Sequence, residues 1–415
     1  MASGSVKKVD SFSFDIVLVD LCAWDGHHRT YFLKVYRTLE DLGLRVGSLC
    51  LEPEDFRAGY RDQNGGLEPR MLHLRAPSSW IVRMMGLADK VWHALWRKAA
   101  IVSSYHAENL LKVRRSLRDA GVEPNVLVFF LHLDSMLLVE PKLVATWLMP
   151  KRWVGLYFMP AFRTPVDHGE YRARVAREQI FASKTCRGIY LLDPGAVNDV
   201  KRKSGDKFVE FLPEPIDLRR GDESELPSIF RKTRQDNGKI VGLFGSLSKR
   251  KNVLNLVRAF DRLNDKGITL VLIGALELED YTAEERSEFH RIVGDNPNIY
   301  CEFQRIAEAK FNALVAASDV IFLAYTDFVG SSNILVKAAH FQRPTVAARG
   351  FLIGESVEKY GMGITAAPDD IRELGAALSY LTRKFDVESG RFDDFLRLQD
   401  TVVFREKLAL LRSAG

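Results

Sequence analysis

The sequence predicts an α/β protein built from two doubly wound domains, each a parallel sheet with helices on both faces. First, the chain has 415 residues, more than one hydrophobic core usually organises. Second, short apolar runs of strand length alternate with longer segments of helical periodicity along most of the chain. Third, a polar stretch punctuated by prolines, at 213–239, separates two such alternating series.

The first series predicts an N-terminal Rossmann-like domain over residues 1–213. Its strand candidates are 14–20, 45–51, 125–131, 152–158, 188–193 and 207–212. Helical patterns lie between them, at 29–42, 80–101, 103–120 and 170–186. A linker is predicted over 214–238, where polar residues and prolines replace the periodic pattern.

The second series predicts a C-terminal Rossmann-like domain over 239–385. Its strand candidates are 239–245, 268–274, 299–303, 320–324, 344–348 and 362–367. Residues 386–415 are predicted to form one C-terminal helix that packs back on the N-terminal domain. In such sheets ligands bind outside the carboxyl ends of the strands, so the site residues are sought there.

Composition limits the classes of function. The chain is 47% hydrophobic and 27% charged, which is typical of a globular protein outside the membrane. The net charge of +5 permits an anionic ligand or a membrane surface but does not indicate nucleic acid. The four cysteines are scattered, which favours free thiols in a reducing compartment over disulfides or a metal site. With no run of 18 apolar residues and no signal-peptide pattern, we expect a cytoplasmic location.

The stretch "YTDFVGSSNILVKAAHF" at 325–341 predicts a loop followed directly by an amphipathic helix. Ser331 and Ser332 are preferred N-cap residues, and Gly330 permits close approach of a ligand. The first amides of a helix have no intrahelical partner, so residues through Asn333 predict a phosphate or diphosphate site. The alternative is an ordinary capped helix.

The stretch "GLFGSLSKRKNVLNLVRAF" at 242–260 predicts a strand, a Gly-Ser turn and a helix, with three basic residues in the turn. A lysine at this point suits a phosphate, because its ammonium acts as a compact point charge. The alternative is a solvated basic face. Its place in the same domain as 330–333 favours one shared anionic ligand.

These two stretches resemble the donor-binding domain of GT-B glycosyltransferases, and most closely that of the retaining family 4. That family carries a G-R-L-x-x-x-K-G turn, which matches "GSLSKRKN" with Ser246 at the Arg position and Lys251 at the Lys position. It also carries an E-x7-E element, but Val329 and Lys337 stand at the two Glu positions here. The resemblance extends through "GFLIGESVEKYGMGITAAPDD" at 350–370 and covers roughly 239–385.

The resemblance implies a GT-B fold, with two Rossmann-like domains facing each other across a cleft. It also implies transfer of a sugar from a nucleotide diphosphate sugar to an acceptor hydroxyl, with retention. No D-x-D triplet occurs, so no metal and no other cofactor is expected. The diphosphate is assigned to Lys251, Ser246, Gly330, Ser331, Ser332, Asn333 and Lys337.

The donor assignments include one residue with an alternative interpretation, Lys337, and contacts to the sugar and the nucleobase. Lys337 is interpreted as a third phosphate cation, and the alternative is a solvent-facing lysine on the helix surface. Asp327 is assigned to a hydroxyl of the donor sugar. By position alone, the resemblance places the nucleobase at Gln304, Arg305 and Ile306.

In the N-terminal domain, two strand ends carry polar residues. Gly26, His27 and His28 follow the first strand and are assigned to a loop facing the cleft. His132 and Asp134 follow the strand 125–131 and are the two predicted catalytic residues; at this strand end the family often has a histidine beneath the transferred sugar. His132 is therefore the predicted catalytic contact to the sugar or the reacting hydroxyl, with a core histidine as the alternative.

The segment 78–102 combines Trp80, Trp92 and Trp96 with lysines and arginines on a helical pattern. Such a helix suits a bilayer interface, so peripheral contact with the inner face of a membrane through 80–98 and a membrane-proximal acceptor are predicted. The alternative is a domain helix with a basic outer face. Two rival functions also remain open: a nucleotide-sugar epimerase, and a non-catalytic protein that binds a nucleotide or glycan.

Overall fold

The computed structural model describes residues 13–22, 28–76, 100–138, 142–167, 169–214 and 216–414. Within these ranges the chain divides into two compact units. Unit 1 comprises the residues up to Leu212 together with those from Val402 onward, and unit 2 comprises Pro213–Thr401.

Unit 1 is built on a six-stranded parallel sheet. Its strands are β1 (Ile16–Asp20), β2 (Val46–Cys50), β3 (Leu127–Phe130), β4 (Trp153–Tyr157), β5 (Cys186–Leu191) and β6 (Phe208–Phe211). They lie in the order β2-β1-β3-β4-β5-β6, which is a doubly wound arrangement. Each strand overlaps one of the apolar runs from which it was predicted.

Helices cover both faces of this sheet, because two separate clusters of apolar side chains lie against it. The helices are α1 (His28–Asp41), α2 (Pro53–Gln63), α3 (Ala100–Asp119), α4 (Lys142–Leu148), α5 (Gly169–Glu178) and α6 (Val197–Ser204). The helix predicted at 80–101 lies almost entirely outside the described residues. The pattern at 170–186 ends as a helix at Glu178 and continues as a short 3₁₀ turn, Gln179–Ala182.

Unit 2 contains a second six-stranded parallel sheet. Its strands are β7 (Lys239–Phe244), β8 (Ile268–Ile273), β9 (Ile299–Glu302), β10 (Val320–Leu323), β11 (Thr345–Ala348) and β12 (Gly363–Ala366). Their order is β12-β11-β10-β7-β8-β9. Because β10 pairs directly with β7, with Val320 opposite Val241, the loops that follow these two strands leave the sheet side by side.

The helices of unit 2 pack around one apolar core. They are α7 (Ser228–Gln235), α8 (Val253–Leu263), α9 (Ala283–Asp295), α10 (Glu308–Ala317), α11 (Asn333–His340), α12 (Phe351–Tyr360), α13 (Ile371–Arg383) and α14 (Phe392–Leu398). The segment predicted as a linker contains α7, whose Phe230 belongs to this core. The linker residues are therefore part of unit 2.

The C-terminal tail differs from the single helix that was predicted. After α14 the chain forms α15 (Thr401–Ala409) and α16 (Leu411–Ala414). Phe392 and Phe395 lie in the core of unit 2, whereas Phe404 and Leu408 lie in a core of unit 1. The apolar pattern is continuous in sequence but serves two cores, so one helix does not carry it.

Candidate functional site

The turn after β7 places Lys251 next to the backbone of Phe244 and Gly245. Gly245 has φ +90° and Gly274, after β8, has φ +147°. A Cβ on Gly274 would lie 1.7 Å from the Gly245 carbonyl oxygen, so this close approach requires glycine. A Cβ on Gly245 would lie 2.8 Å from Lys251 Nζ. The missing side chain thus leaves room beside that ammonium.

Lys251 is almost fully buried, with 6% of its surface exposed. Its Nζ donates to the Phe244 carbonyl at 2.6 Å and lies 5.7 Å from the centre of the Tyr325 ring. Burial, and secondarily the charge of Arg250, lowers the pKa of Lys251 to about 7. An anion bound beside this group would favour its protonated form, so binding of an anion there would be coupled to proton uptake.

The loops after β7 and β10 are joined by direct contacts. The Thr326 amide donates to the Arg250 carbonyl at 2.8 Å. Asn252 Nδ2 donates to the carbonyls of Ala324 at 3.1 Å and Pro368 at 2.6 Å. The two stretches singled out in the sequence therefore form one structural site at the carboxyl edge of the sheet.

Arg250 was not among the predicted site residues. Its guanidinium lies over the Phe328 ring at 4.7 Å, in the loop after β10. No acidic side chain in the described part of the chain pairs with it. The neighbouring Lys249, by contrast, pairs with Glu285 at 3.2 Å. The signal for Arg250 was present in the basic triplet, but spacing alone does not tell which member is unpaired.

Ser246 stands where the family resemblance implies a phosphate-binding arginine. Its hydroxyl donates to Glu277 Oε1 at 2.7 Å. The nearest arginine in the same turn is Arg250, four residues later.

The start of α11 differs from the predicted serine cap. The N-cap residue is Ser332, and its side chain makes no capping hydrogen bond. Ser331 instead interacts with the Glu214 carboxyl, and Ser332 with the Tyr325 hydroxyl. The alternative of an ordinary side-chain cap is therefore wrong. The Leu335 amide donates to the Ser332 backbone carbonyl at 2.9 Å, so the amides of Asn333 and Ile334 are the ones that a ligand could meet.

The loop before α11 holds the other two predicted donor residues. Gly330 is buried, and a Cβ there would lie 3.1 Å from the Phe328 ring. Asp327 is exposed and has φ +50°, a left-handed conformation that aspartate tolerates better than most residues. Both lie on the loop that Arg250 and Asn252 hold in place.

Lys337 is buried, with 1% of its surface exposed, so the interpretation as a solvent-facing lysine is wrong. It forms an ion pair with Glu308 at the start of α10. Its Nζ also lies 4.6 Å from the centre of the Phe311 ring. Because Glu308 already balances its charge, this geometry weighs against a third phosphate cation.

Glu214 was missed by the sequence analysis, because it lies in the stretch interpreted as a linker. The side chain is 4% exposed, and burial raises its pKa to about 7, against smaller opposing effects of Ser331 and Lys337. Its backbone amide donates to Gln399 Oε1 at 3.0 Å. An isolated carboxylate between two prolines, in "PEPID", was the available signal.

The residues assigned to the nucleobase follow β9, the edge strand of the sheet. Gln304 and Arg305 are exposed, and Gln304 Nε2 donates to Glu302 Oε1 at 2.5 Å. Ile306 packs against the core of unit 2. The assignment of the base to this loop stays a prediction.

In unit 1, His132 follows β3 and its ring stacks on Phe158 with centroids 4.9 Å apart. The Asp134 carboxylate accepts hydrogen bonds from the amides of Phe158 at 2.8 Å and Met159 at 3.1 Å. Asp134 therefore closes the turn after β4, and its catalytic assignment stays a prediction. His28 begins α1, whereas Gly26 and His27 lie outside the described residues.

Comparison with known families bears on the unit that contains the joined loops. Residues 238–384 match the family described as glycosyl transferases group 1. This part of the chain is a glycosyltransferase domain. The match confirms the prediction that the chain is a glycosyltransferase. A comparison with curated proteins found no match.

Solved structures similar to the whole chain show the fold. Sucrose-phosphate synthase from Thermosynechococcus elongatus has a TM-score of 0.64 at 13% identity, over 96% of this chain and 98% of that one. HepE from Anabaena, in complex with UDP and glucose, has a TM-score of 0.62 at 16% identity, over 97% and 100%. MnaA from S. aureus, in a co-structure with UDP, has a TM-score of 0.55 at 12% identity, over 91% and 89%. The glycosyltransferase domain thus belongs to a chain with the predicted GT-B fold.

Proposed function

We propose that this protein transfers a glycosyl group from a nucleoside diphosphate sugar to an acceptor hydroxyl. The observation that carries the proposal is the junction of the β7 and β10 loops. There Arg250, Lys251 and the start of α11, which has no side-chain cap, lie together at the carboxyl edge of one sheet. Cations and oriented amides at this point suit a diphosphate.

In the proposed reaction the bond between the anomeric carbon and the diphosphate oxygen breaks, and a bond to the acceptor oxygen forms. Negative charge develops on the departing diphosphate. Lys251, Arg250 and the α11 amides would stabilise that charge, because they are fixed before the reaction begins. Metal independence and retention, which follow the resemblance to family 4, are parts of the same proposal.

The contribution of unit 1 to the proposal is His132. The ring is held by stacking on Phe158, so it is oriented rather than free to rotate. We assign it a polar contact to the transferred sugar or to the reacting hydroxyl. Loss of the ring would then lower turnover more than it lowers donor affinity.

Uridine diphosphate sugars are the first donors to test. The Anabaena HepE structures contain UDP or UDP-glucose, and the S. aureus MnaA structure contains UDP. The base is otherwise open, because the loop assigned to it, 304–306, presents no side-chain pattern that selects one base. GDP, CDP and dTDP sugars therefore belong in the same panel.

The acceptor is proposed to be a hydroxyl of a glycan, a lipid-linked sugar or a small molecule. The segment 80–98, on which membrane contact was predicted, lies outside the described residues. None of the helices in the described ranges combines the length and hydrophobicity that a bilayer crossing needs. Co-sedimentation with anionic vesicles, with and without Trp92→Ala, tests peripheral contact.

The function is tested by incubating the purified protein with the donor panel and measuring the release of nucleoside diphosphate and free sugar. A transferase hydrolyses its donor slowly in the absence of acceptor, and the rate should persist in EDTA. A binding protein would be stabilised by one donor in a thermal shift experiment without any turnover. An epimerase would convert the sugar while it remains attached to the nucleotide. Either of these outcomes would overturn the transferase assignment.

A further inference from the structure

Glu214 lies near the start of unit 2, in a part of the chain that is hydrogen-bonded to later elements of the same unit. Asn312 on α10 donates through Nδ2 to the carbonyls of Asp217 at 2.9 Å and Arg219 at 2.7 Å. The Glu214 amide is bound by Gln399 at 3.0 Å. The backbone at Glu214 is consequently anchored by a contact that does not involve its carboxyl.

The carboxyl group is buried but incompletely hydrogen-bonded. Oε2 has no hydrogen-bond partner among the residues that the structure describes. Leaving a buried polar atom unpaired costs roughly 1–3 kcal/mol, so folding alone would favour an apolar side chain at this position. A binding role explains why a carboxyl stands there.

The surroundings indicate which ligand would meet this oxygen. Ser331, at the start of α11, interacts with the same carboxyl, and Lys337 on that helix influences it electrostatically. The diphosphate is proposed to bind at this helix start. In a nucleoside diphosphate sugar both groups attached to the diphosphate are hydroxyl-bearing rings, so a carboxyl beside the diphosphate meets hydroxyl groups.

The ion pair on α11 and α10 strengthens this inference. Lys337 is charged and has no acceptor, so it does not bind a hydroxyl as a carboxylate would. Its pairing with Glu308 engages the acid nearest to it on α10. Among the described residues that interact with the start of α11, Glu214 is the buried carboxyl with an oxygen that has no hydrogen-bond partner.

We propose that Glu214 is a donor-binding residue whose carboxyl oxygen accepts a hydrogen bond from a ring hydroxyl of the nucleoside diphosphate sugar. The inference rests on the proposed function, since it takes the diphosphate at the α11 start as given. The hydroxyl belongs either to the ribose or to the transferred sugar, and both present the same chemistry to Glu214.

The test is a calorimetric titration of the wild type and of Glu214→Leu with three ligands. The first is the nucleoside diphosphate of the donor that stabilises the wild type in the donor panel. The other two are the 2′-deoxy analogue of that nucleoside diphosphate and the corresponding nucleoside diphosphate sugar. Loss of a hydrogen bond to a charged group should weaken binding roughly ten- to a hundredfold. For a ribose hydroxyl, the 2′-deoxy analogue binds the wild type more weakly, and Glu214→Leu causes no further loss with it. For a hydroxyl of the transferred sugar, Glu214→Leu weakens binding of the nucleotide sugar and not of the nucleoside diphosphate.

Two further variants keep the test decisive. Glu214→Gln preserves the shape of the side chain and should lose less affinity than Glu214→Leu, which guards against a folding defect. Glu288→Leu is the matched control, because Glu288 pairs with Arg258 away from α11; it should bind as the wild type does. Unchanged affinity of folded Glu214→Leu for every ligand that the wild type binds would overturn the inference and leave the proposed function standing. Failure of the wild type to bind any nucleotide would overturn both.

Discussion

Replacing Lys251 by methionine should stabilise the protein and at the same time weaken its binding of a diphosphate. In the fold the pKa of this lysine is lowered from 10.5 to about 7, first of all by burial. At pH 7 this lowering corresponds to roughly 4 kcal/mol of unfavourable free energy, at 1.36 kcal/mol per pKa unit. The variant loses the hydrogen bond to the Phe244 carbonyl, worth about 1 kcal/mol. The net gain in the free energy of unfolding at pH 7 is therefore about 2–4 kcal/mol.

The sign of the pH dependence follows from the same pKa values. Between about pH 7 and pH 10.5 the unfolded chain binds more protons at Lys251 than the folded chain does. The stability of the wild type therefore rises through this window, and the advantage of Lys251→Met is largest below it and vanishes above it. Melting temperatures of both proteins at pH 6.5 and 9.5 measure the difference, and calorimetry with the nucleoside diphosphate measures the loss of binding.

Lys249→Met is the matched control for this experiment. Lys249 is an exposed neighbour that pairs with Glu285, so its loss should change stability by less than about 1 kcal/mol and leave nucleotide binding intact. A Lys251→Met protein that is less stable than the wild type at pH 6.5 and binds the nucleotide equally well would refute the reasoning. In that case the buried ammonium is a structural group.

Three further predictions concern single side chains of the same account. Arg250→Ala should weaken binding of the nucleoside diphosphate roughly tenfold in calorimetry with little change in melting temperature, because no described acid pairs with Arg250; equal affinity would contradict its role. Gly245→Ala should destabilise the protein by about 1 kcal/mol or more and lower affinity, since φ is +90° and the new Cβ would lie 2.8 Å from Lys251 Nζ; wild-type values in both measurements would count against the turn geometry. His132→Ala should lower the rate of donor hydrolysis at least tenfold with unchanged nucleotide affinity. Unchanged hydrolysis would remove His132 from the site, with the donor half of the account intact.

The strands of both sheets were predictable because each is a buried, near-continuous apolar run, as strands of parallel sheets are. The structure of the C-terminal tail was not predictable. Hydrophobic periodicity indicates that one face of a segment is buried, but it does not indicate which core that face packs against. Phe395 and Phe404 follow one pattern but belong to different cores. The same limit applies to the predicted linker, in which Phe230 anchors a helix in the core of unit 2.

The donor side of the site was predictable in part, because a glycine turn and a helix start have signatures in the sequence. The sequence carries no comparable signature of the partner that each polar side chain contacts. Whether Ser331 caps its helix or faces Glu214, and whether Lys337 faces water or Glu308, depends on residues far away in the chain. Glu214 escaped notice for this reason: the residues beside it, Ser331 and Gln399, lie more than 100 residues later in the sequence.

The most direct test of the central claim is a crystal structure of the protein with a nucleoside diphosphate bound. We expect the phosphate oxygens within hydrogen-bonding distance of the first amides of α11, next to Arg250 and Lys251 Nζ. Phosphates bound elsewhere in unit 2, for example in the pocket lined by Arg220, Arg234 and Arg343, would contradict the claim.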